Sequence, residues 1–388
     1  MTQVFVTDGR SIAALAASRS LGARGLSVTC GESFRYNYTF LSRYVQRTVI
    51  YADPDDYPDQ FLEDLSRELA RGTYQTIMPI RDNAALLLAK HREQFEKHVG
   101  FCLPDYETLL VGRDKGKTAK AALRHNVPIP RTFFPEKQSL ESIAGDICFP
   151  ALVKPRISSG GRGIVFARDA TTLAQGYARV KAVYGEPLIQ EYVSDEREHL
   201  STTFLFNAKS QLRAAFVYQE CRQVGGSATF AVSVSHPDVV ECGAEFLQKL
   251  GWRGVANVEF VIDPDDKQFK MLEINPRFWM SLALAVHAGI DFPYLLHRLI
   301  IEGDIEPVME YRIGTRYRWL WPLDIVWILK TTKSWEHVKE FFSLRHSGQC
   351  YAVCSASDPL PMLGVLAHGL QFWRKRSDRH LIPQLSSD

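Results

Sequence analysis

Strands and helices alternate along the first part of the chain. "QVFVT" is a short apolar run at residues 3–7, and small and apolar residues recur at helical spacing in the stretch that follows, "SIAALAASRSLGARG". A second apolar run, "LSVTC", comes directly after it. A strand, a helix and a strand in this order predict a βαβ unit of an open parallel sheet.

The same alternation continues to about residue 112. Phe61, Leu62, Leu65 and Leu69 fall at helical spacing, and "YQTIMPI" after them predicts another buried strand. The turn after the first strand reads "TDGRS" and lacks the G-x-G-x-x-G fingerprint, so the pattern does not favour dinucleotide binding. We predict an N-terminal α/β domain over residues 1–112.

Short strands and hairpins replace this alternation beyond residue 112. "FPALVKP" and "PLIQEYV" predict short strands, and "TTFLFNAKSQLRAAFVYQEC" predicts an antiparallel hairpin that turns around Asn207–Gln211. "GVANVEFVIDPDDKQFKMLEIN" predicts a second hairpin with an acidic turn. These patterns predict an α+β region from about 113 to 310.

Composition and charge narrow the function classes. The chain has 388 residues, is 46% hydrophobic and 23% charged, and carries a formal net charge of +2. These values are typical of a globular protein, and the small net charge gives no electrostatic case for binding nucleic acid. The chain begins with a strand pattern rather than a signal peptide, and its scattered cysteines suit reduced thiols. We therefore expect a cytoplasmic protein.

Three oxygen-bearing side chains interrupt the apolar strands of the second hairpin. Glu273 and Asn275 flank Ile274, so they share one face of their strand, and Glu259 lies between Val258 and Phe260 on the preceding strand. Mg²⁺ prefers a few carboxylate or carbonyl oxygens and completes its shell with water and phosphates. The pattern indicates either a metal site or a solvated sheet face.

A glycine-rich loop follows one of the short strands. In "VKPRISSGGRGI" Lys154 ends a strand, and three glycines come soon after it. Glycines let successive backbone N–H groups turn towards one anion, which makes a nest for a phosphate. The loop is not a Walker A motif, and an ordinary hairpin turn explains the glycines equally well.

An acidic segment lies between the predicted strand "PLIQEYV" and the first predicted hairpin. Glu191 and Glu198 flank "YVSDER", and an extended backbone with a nearby carboxylate is what adenine and ribose recognition requires. An acidic surface loop is the alternative for this segment alone.

The order of these pieces resembles that of the ATP-grasp superfamily. Asp114–Lys115 comes first, then Lys154 with its glycine-rich loop, then "QEYV" with Glu198, then Glu259, and last "EINPR". The spacing is similar to that of the large chain of carbamoyl-phosphate synthetase, whose fold is shared with biotin carboxylase and D-alanine–D-alanine ligase. The resemblance covers residues 1 to about 310.

The resemblance implies an organisation into domains. Residues 1–112 would form a Rossmann-like pre-grasp domain, and residues 113–310 would form the ATP-grasp domain. Its small lobe would span about 113–188 and its large lobe about 189–310. The tryptophan-rich extension 311–388 would pack on the large lobe or on a partner subunit, and a homodimer is a further expectation.

The resemblance also implies a role for each motif. Lys115 and Lys154 would contact the ATP phosphates, the backbone at 191–193 would bind adenine, and Glu198 would bind the ribose. The full set expected to bind ATP is Lys115, Lys154, Ser158, Ser159, Gly160, Gly161, Gly163, Glu191, Tyr192, Val193 and Glu198.

Metal and catalytic roles follow from the same resemblance. Mg²⁺, with Mn²⁺ as an expected substitute, would be held by Glu259, Glu273 and Asn275. Arg277 would neutralise the phosphoryl group during transfer, and Lys154 would act beside it. These are the parts that phosphoryl transfer needs, because its catalysis is mostly positioning and charge neutralisation.

The implied reaction is that of an ATP-dependent carboxylate–amine ligase. A small carboxylate, such as an amino acid, would be phosphorylated to an acyl phosphate that an amine attacks. A bicarbonate-activating enzyme is the first alternative, and a non-catalytic nucleotide sensor is the second.

Two further regions carry open interpretations. The stretch "ECRQVGGSAT" is either a substrate loop, with candidate residues Arg222, Gly225, Gly226 and Ser227, or an ordinary turn between strands. The tryptophan-rich end "YRWLWPLDIVWILK", with the basic cluster "WRKR" after it, favours core or dimer packing over contact with a membrane surface.

Overall fold

The N-terminal region is a parallel sheet flanked by helices. The computed structural model describes residues 3–194, 197–330, 339, 341–342 and 348–365. Its first sheet has the strand order β3-β2-β1-β4, and all neighbouring strands are parallel. The elements are β1 (Gln3–Val6), α1 (Ile12–Ala23), β2 (Ser27–Glu32), β3 (Val45–Ile50), α2 (Pro58–Leu69), β4 (Tyr74–Met78), α3 (Asp82–Lys90) and α4 (Arg92–Phe95). The predicted βαβ unit is confirmed.

Two consecutive helices lead from this sheet into the next region. They are α5 (Tyr106–Arg113) and α6 (Lys115–Arg124). Asp114 caps α6, because its Oδ1 accepts hydrogen bonds from the backbone N–H groups of Gly116 (2.8 Å) and Lys117 (3.1 Å). The cap fixes Lys115 as the first residue of α6.

A small antiparallel sheet follows, with strand order β5-β8-β6-β7. Its elements are β5 (Thr132–Phe133), α7 (Leu140–Asp146), β6 (Ala151–Lys154), β7 (Val165–Ala167), α8 (Ala170–Tyr184) and β8 (Leu188–Glu191). Val153 and Ile189 pack into a core with Leu173 and Val180 of α8. Side chains alternate along a strand, so Lys154, next to Val153, turns to the opposite face.

The largest sheet has seven strands in the order β13-β12-β9-β10-β11-β14-β15. Neighbouring strands are antiparallel except β14 and β15, which are parallel. The elements are β9 (Glu198–Phe206), β10 (Leu212–Val224), β11 (Ser227–Ser233), α9 (Pro237–Lys249), β12 (Gly254–Ile262), β13 (Phe269–Asn275), α10 (Leu282–Ala288), α11 (Phe292–Glu302), β14 (Arg316–Arg318), α12 (Ile325–Lys330) and β15 (Gln349–Tyr351). Both predicted hairpins, β9–β10 and β12–β13, are confirmed.

The two faces of this sheet differ in polarity. On one face Leu200, Val258 and Phe260 pack against Phe246 of α9 in a dry core. The opposite face carries His199, Ser201 and Thr203 on β9, and Glu259 on the neighbouring β12. This polar row distinguishes the face from the apolar core on the other side of the sheet.

The C-terminal segment is tied to the rest of the chain by two buried carboxylates. Asp324 is fully buried and accepts hydrogen bonds from the guanidinium groups of Arg222 (3.2 Å) and Arg318. Asp358, 1% exposed, accepts from Arg19 Nε (2.8 Å) in α1 and from Ser42 Oγ (2.7 Å). The segment therefore bridges the largest sheet and the N-terminal sheet.

The predicted interpretations of the C-terminal end can be checked only in part. No single described helix is long and apolar enough to cross a membrane. Taken together, α10 and α11 would pass such a test by length and composition, but they meet at an angle of 81°. The basic cluster at 374–376 lies outside the described residues.

Candidate active site

Three oxygen-bearing residues of the second hairpin meet on the polar face. Glu259 and Glu273 are direct cross-strand partners. Asn275 Nδ2 donates to Glu259 Oε1 at 2.8 Å and to Glu273 Oε1 at 3.3 Å. The structure thus brings together the three predicted metal ligands.

Lys115 links this cluster to the glycine-rich loop. Its Nζ lies 2.8 Å from Glu273 Oε2 and donates to the carbonyl oxygen of Ser158 at 3.1 Å. The backbone N–H of Lys115 also donates to the carbonyl of Arg156 at 2.9 Å. One cation at the start of α6 therefore contacts both the largest sheet and the loop of the small sheet.

Lys154 approaches the same place from the small sheet. Its Nζ donates to Gln190 Oε1 at 2.5 Å, and Gln190 in turn donates to Thr132 Oγ1 at 2.8 Å. Burial lowers the pKa of Lys154 to about 8, although the negative charge of Glu273 counteracts part of this effect. An incompletely solvated ammonium group of this kind gains most from an anionic partner.

The two facing carboxylates have pKa values shifted in opposite directions. Burial alone would raise the pKa of Glu273, but the positive charge of Lys115, helped by Lys154 and Arg277, lowers it below its usual value. Burial and the negative charge of Glu273 raise the pKa of Glu259. Glu273 is therefore the more firmly ionised of the pair.

His199 and Glu220 belong to the cluster and were missed by the sequence analysis. His199 Nε2 lies 3.3 Å from Glu259 Oε2, and its Nδ1 lies 3.4 Å from Glu220 Oε2. Burial would lower the pKa of His199, but the two carboxylates outweigh it and raise the pKa to about 10. The available signal was Glu220 itself, a charged residue two positions after the apolar run "AAFVY".

The glycine-rich loop is shaped by positive backbone angles. Gly160, Gly161 and Gly163 have φ values of 62°, 69° and 75°, a region that favours glycine. Arg113 Nη1 donates to the carbonyl oxygen of Ser158 at 3.2 Å and to Ser159 Oγ at 3.4 Å. The predicted phosphate loop is thus held from α5.

This loop touches the predicted substrate loop. A Cβ atom on Gly226 would lie 2.8 Å from the carbonyl carbon of Gly160, and one on Gly160 would lie 3.3 Å from the carbonyl oxygen of Gly225. Only glycines permit so close an approach of two backbones. The loop of the small sheet and the turn between β10 and β11, which ends at Ser227, form one contact.

The segment expected to bind adenine joins the small sheet to the largest sheet. The backbone N–H groups of Glu191 and Tyr192 donate to the carbonyls of Arg131 (2.9 Å) and Pro150 (3.0 Å). The carbonyl of Val193 accepts from the Arg197 guanidinium at 3.1 Å. Glu198 begins β9 and is exposed. The adenine and ribose roles of these residues stay predictions.

Arg277 lies beside Asn275, at the end of the predicted ligand set. Its Nη2 donates to Asn275 Oδ1 at 3.2 Å, its Nη1 donates to the carbonyl of Phe278 at 2.9 Å, and its Nε lies 3.3 Å from Asp82 Oδ2. Asp82 begins α3 in the N-terminal region. Arg277 therefore connects the cluster to a third part of the chain.

Arg222, a predicted substrate residue, is placed in the packing of the C-terminal segment. It is 7% exposed, pairs with Asp324, and lies over the rings of Trp327 (4.2 Å) and Phe230 (4.8 Å). Its contact with a substrate stays a prediction.

The donor set fits Mg²⁺. Two opposed carboxylates are hard ligands of the kind that Mg²⁺ takes in small number. Asn275 would add its amide oxygen once its amide group turns over, since its Nδ2 is the atom that donates to both glutamates here. The Oδ1 atom of Asn257, the cross-strand partner of Asn275, is buried without a hydrogen-bond partner among the described residues. In the described ranges, no group of three or more His, Cys, Asp or Glu side chains is arranged so that it could hold a metal ion, so the candidate set depends on the amide of Asn275. Glu259, Glu273 and Asn275 would leave the remaining positions to water and phosphate.

Comparisons with known proteins agree with this geometry. Residues 112–281 match a family model described as an ATP-grasp domain. The chain is 24% identical over 217 residues to pyruvate carboxylase from Staphylococcus aureus, an alignment that spans 50% of this chain and 18% of the relative. It is 24% identical over 267 residues to the carbamoyl phosphate synthase large chain from Thermus thermophilus, spanning 62% and 26%. The chain thus spans about a quarter or less of these relatives.

Solved structures show the same fold. The biotin carboxylase domain of 2-oxoglutarate carboxylase from Hydrogenobacter thermophilus superposes with a TM-score of 0.66 at 18% identity, covering 81% of this chain and 73% of that one. N5-carboxyaminoimidazole synthetase from Staphylococcus aureus, complexed with ADP, superposes with a TM-score of 0.64 at 17% identity, covering 81% and 80%.

The contact between the two glycine loops can be tested with one methyl group. Gly226→Ala is expected to separate the loops, because the new Cβ would clash with the Gly160 backbone. Hydrogen exchange of the amides at 158–163, measured by mass spectrometry, should then become faster. Gly185→Ala is the control, since Gly185 also has a positive φ (78°) but open space around it. Equal exchange in the wild type and in Gly226→Ala would contradict the contact.

Proposed function

The chain belongs to the ATP-grasp superfamily, and from that premise we propose that it is an ATP-dependent carboxylate–amine ligase. The observation that carries the proposal is the convergence of cations from separate elements on the carboxylate pair of β12 and β13. Lys115 contacts Glu273 directly, and Lys154 lies close enough to lower the pKa of Glu273. Arg277 contacts Asn275. An arrangement of this kind suits a triphosphate bound with a metal ion.

Each residue has a distinct task in the proposed reaction. Lys115 and Lys154 bind phosphate oxygens, and the backbone N–H groups of the loop 158–163 close over them. Glu259, Glu273 and Asn275 hold Mg²⁺, which when bound neutralises phosphate charge and orients the transferred group. The two glycine loops exclude water from the phosphates through their contact.

The chemistry proceeds in two steps. An oxygen of the substrate carboxylate attacks the γ-phosphorus of ATP, the bond to the bridging oxygen breaks, and ADP leaves with that electron pair. Arg277 neutralises the transferred group and then the acyl phosphate. An amine next attacks the acyl carbon, phosphate leaves with the C–O electron pair, and the nitrogen releases a proton to solvent. The product is an amide.

Bicarbonate activation is the second candidate. The structure of the 2-oxoglutarate carboxylase domain cited above is a complex with MgADP and bicarbonate, and its fold matches this chain. Bicarbonate also carries a carboxylate group, so Lys115, Lys154 and Arg277 could serve its phosphorylation in the same way. The proposal also includes a cytoplasmic location, a substrate that is a small molecule, and a homodimer as the assembled state.

A panel assay tests the proposal. Release of ADP from MgATP is measured with amino acids and small carboxylates, alone and paired with amines, with and without bicarbonate. Products are identified by mass spectrometry. The ligase is expected to require an acid and an amine and to yield a product of their summed mass less one water.

Glu273→Gln is the control for this assay. It keeps the shape of the side chain and removes the negative charge of a metal ligand, so turnover should fall by about 100-fold or more. Turnover that needs bicarbonate and no other acid would favour the second candidate. Tight ATP binding without turnover for any member of the panel would favour a nucleotide sensor.

Nucleotide binding is expected to weaken as pH rises above about 8. Bound phosphates favour the charged form of Lys154, whose pKa in the free protein is about 8, so its pKa is higher in the complex. Between these two pKa values the Kd for MgADP should rise by up to about tenfold per pH unit.

Titration calorimetry between about pH 7 and pH 9.5 measures this dependence. Lys154→Arg is the matched variant, because its guanidinium stays charged throughout the range and should give a nearly constant Kd. A wild-type Kd that does not change over this range would contradict a phosphate contact by Lys154.

A further inference from the structure

Asp82 is a buried carboxylate whose surroundings single it out. It is 9% exposed and begins α3, and its Oδ2 lies 3.3 Å from Arg277 Nε. Its other oxygen, Oδ1, is buried without a hydrogen-bond partner among the described residues. A buried carboxylate is costly unless a cation pairs with it. Arg277 is the cation that Asp82 contacts.

The backbone before Asp82 is fixed by the end of β1. The N–H of Ile80 donates to Thr7 Oγ1 at 3.0 Å, and the N–H of Arg81 donates to Asp8 Oδ2 at 3.0 Å. Asp8 is itself 3% exposed and has a positive φ of 60°, an uncommon conformation for a residue other than glycine. The N-terminal sheet thus holds Asp82 in a defined place.

Arg277 is held by three different groups. Besides Asp82, it donates to Asn275 Oδ1 on the metal hairpin and to the carbonyl of Phe278. The contacts with Asn275 and Phe278 come from residues close to it in sequence, whereas Asp82 lies in another region of the fold. A free arginine side chain samples many rotamers, and fixing it before the reaction lowers the barrier.

We propose that Asp82 is the positioning residue for Arg277, so that the N-terminal domain sets the geometry of phosphoryl transfer without contacting the reacting atoms. The inference rests on the proposed function, because it assumes that Arg277 acts on the phosphoryl group. The plainer alternative is an ion pair that only joins two parts of the fold. A positioning role predicts that the loss of Asp82 weakens binding of the transferred phosphoryl group more than binding of the nucleotide. A purely structural role predicts that both are weakened equally.

The test is a double-mutant cycle that needs no acid substrate. The four proteins are the wild type, Asp82→Asn, Arg277→Gln and the double variant. The probe is ADP with magnesium and aluminium fluoride, which imitates the phosphoryl group during transfer, and its Kd is compared with that of MgADP alone. Transition-state analogues report the interactions that matter for the chemical step.

The expected result is selective and non-additive. Asp82→Asn should weaken binding of the aluminium fluoride complex by about tenfold or more while the Kd for MgADP changes by less than about threefold. In the Arg277→Gln background the same substitution should have less than about a twofold effect, because its target is gone. Asp82→Glu, which keeps the charge and adds one methylene, should be intermediate.

Glu68→Gln is the matched structural control. Glu68, on helix α2, is 6% exposed and pairs with Arg47, on strand β3, at 2.9 Å from its Nη2 atom. Both residues lie in the N-terminal region. This variant should lower the melting temperature and leave the Kd of the aluminium fluoride complex unchanged. If Asp82→Asn does not fold, Asp82→Glu carries the comparison.

Several outcomes would overturn the proposal. Equal effects of Asp82→Asn in both backgrounds would show that Asp82 acts independently of Arg277. Equal weakening of MgADP and of the aluminium fluoride complex, or the same losses in Glu68→Gln, would show a purely structural role. If the wild type binds the aluminium fluoride complex no more tightly than MgADP, the premise that Arg277 acts on the phosphoryl group during transfer is removed. Failure of the ligase proposal itself is detected by a different experiment, the assay of ADP release with the panel of acids and amines.

Discussion

The pairing of Glu259 with Glu273 across β12 and β13 is the constraint on which the site depends. Like charges directly opposite on neighbouring strands are destabilising, and burial on the polar face makes both carboxylates harder to ionise. The protein keeps them there by surrounding them with positive charge. Lys115 contacts one glutamate and His199 the other. Under the proposed function, a divalent cation would share this compensation of the two negative charges.

The compensating positive groups come from separate elements of the fold, and the carboxylate pair lies where these elements meet. Lys154 comes from the small sheet, Lys115 from the first turn of α6, and Arg277 from the segment after β13, where Asp82 of the N-terminal region contacts it. A nucleotide placed among them would be bound by both lobes at once. Under the proposed function, phosphate binding would depend on the relative position of the two sheets, which also approach each other at Gly160 and Gly226.

Local patterns in the sequence were sufficient to predict the strands of the two hairpins and the face on which their polar residues lie. The alternation in "FKMLEIN" placed Glu273 and Asn275 on one face, and the acidic turn placed Glu259 opposite them. His199 and Asp82 were not found, because each is a single polar residue whose importance depends on a partner distant in sequence. Arg222 shows the converse. Its position in a glycine-containing loop suggested a substrate contact, while its pairing with Asp324 depends on how the C-terminal segment packs.

The metal site is tested most directly by measuring the binding of Mn²⁺ in the presence of ADP. Electron paramagnetic resonance detects the bound ion. Mn²⁺ takes the same oxygen ligands as Mg²⁺ and reports the metal itself rather than turnover. The wild type is expected to bind Mn²⁺ with ADP, and Glu273→Gln should weaken this binding by at least about tenfold, because the ligand loses its negative charge. Glu302→Gln, on the exposed end of α11, should leave it unchanged. Equal Mn²⁺ affinity in the wild type and in Glu273→Gln would contradict the central claim that the β12–β13 carboxylates hold the metal.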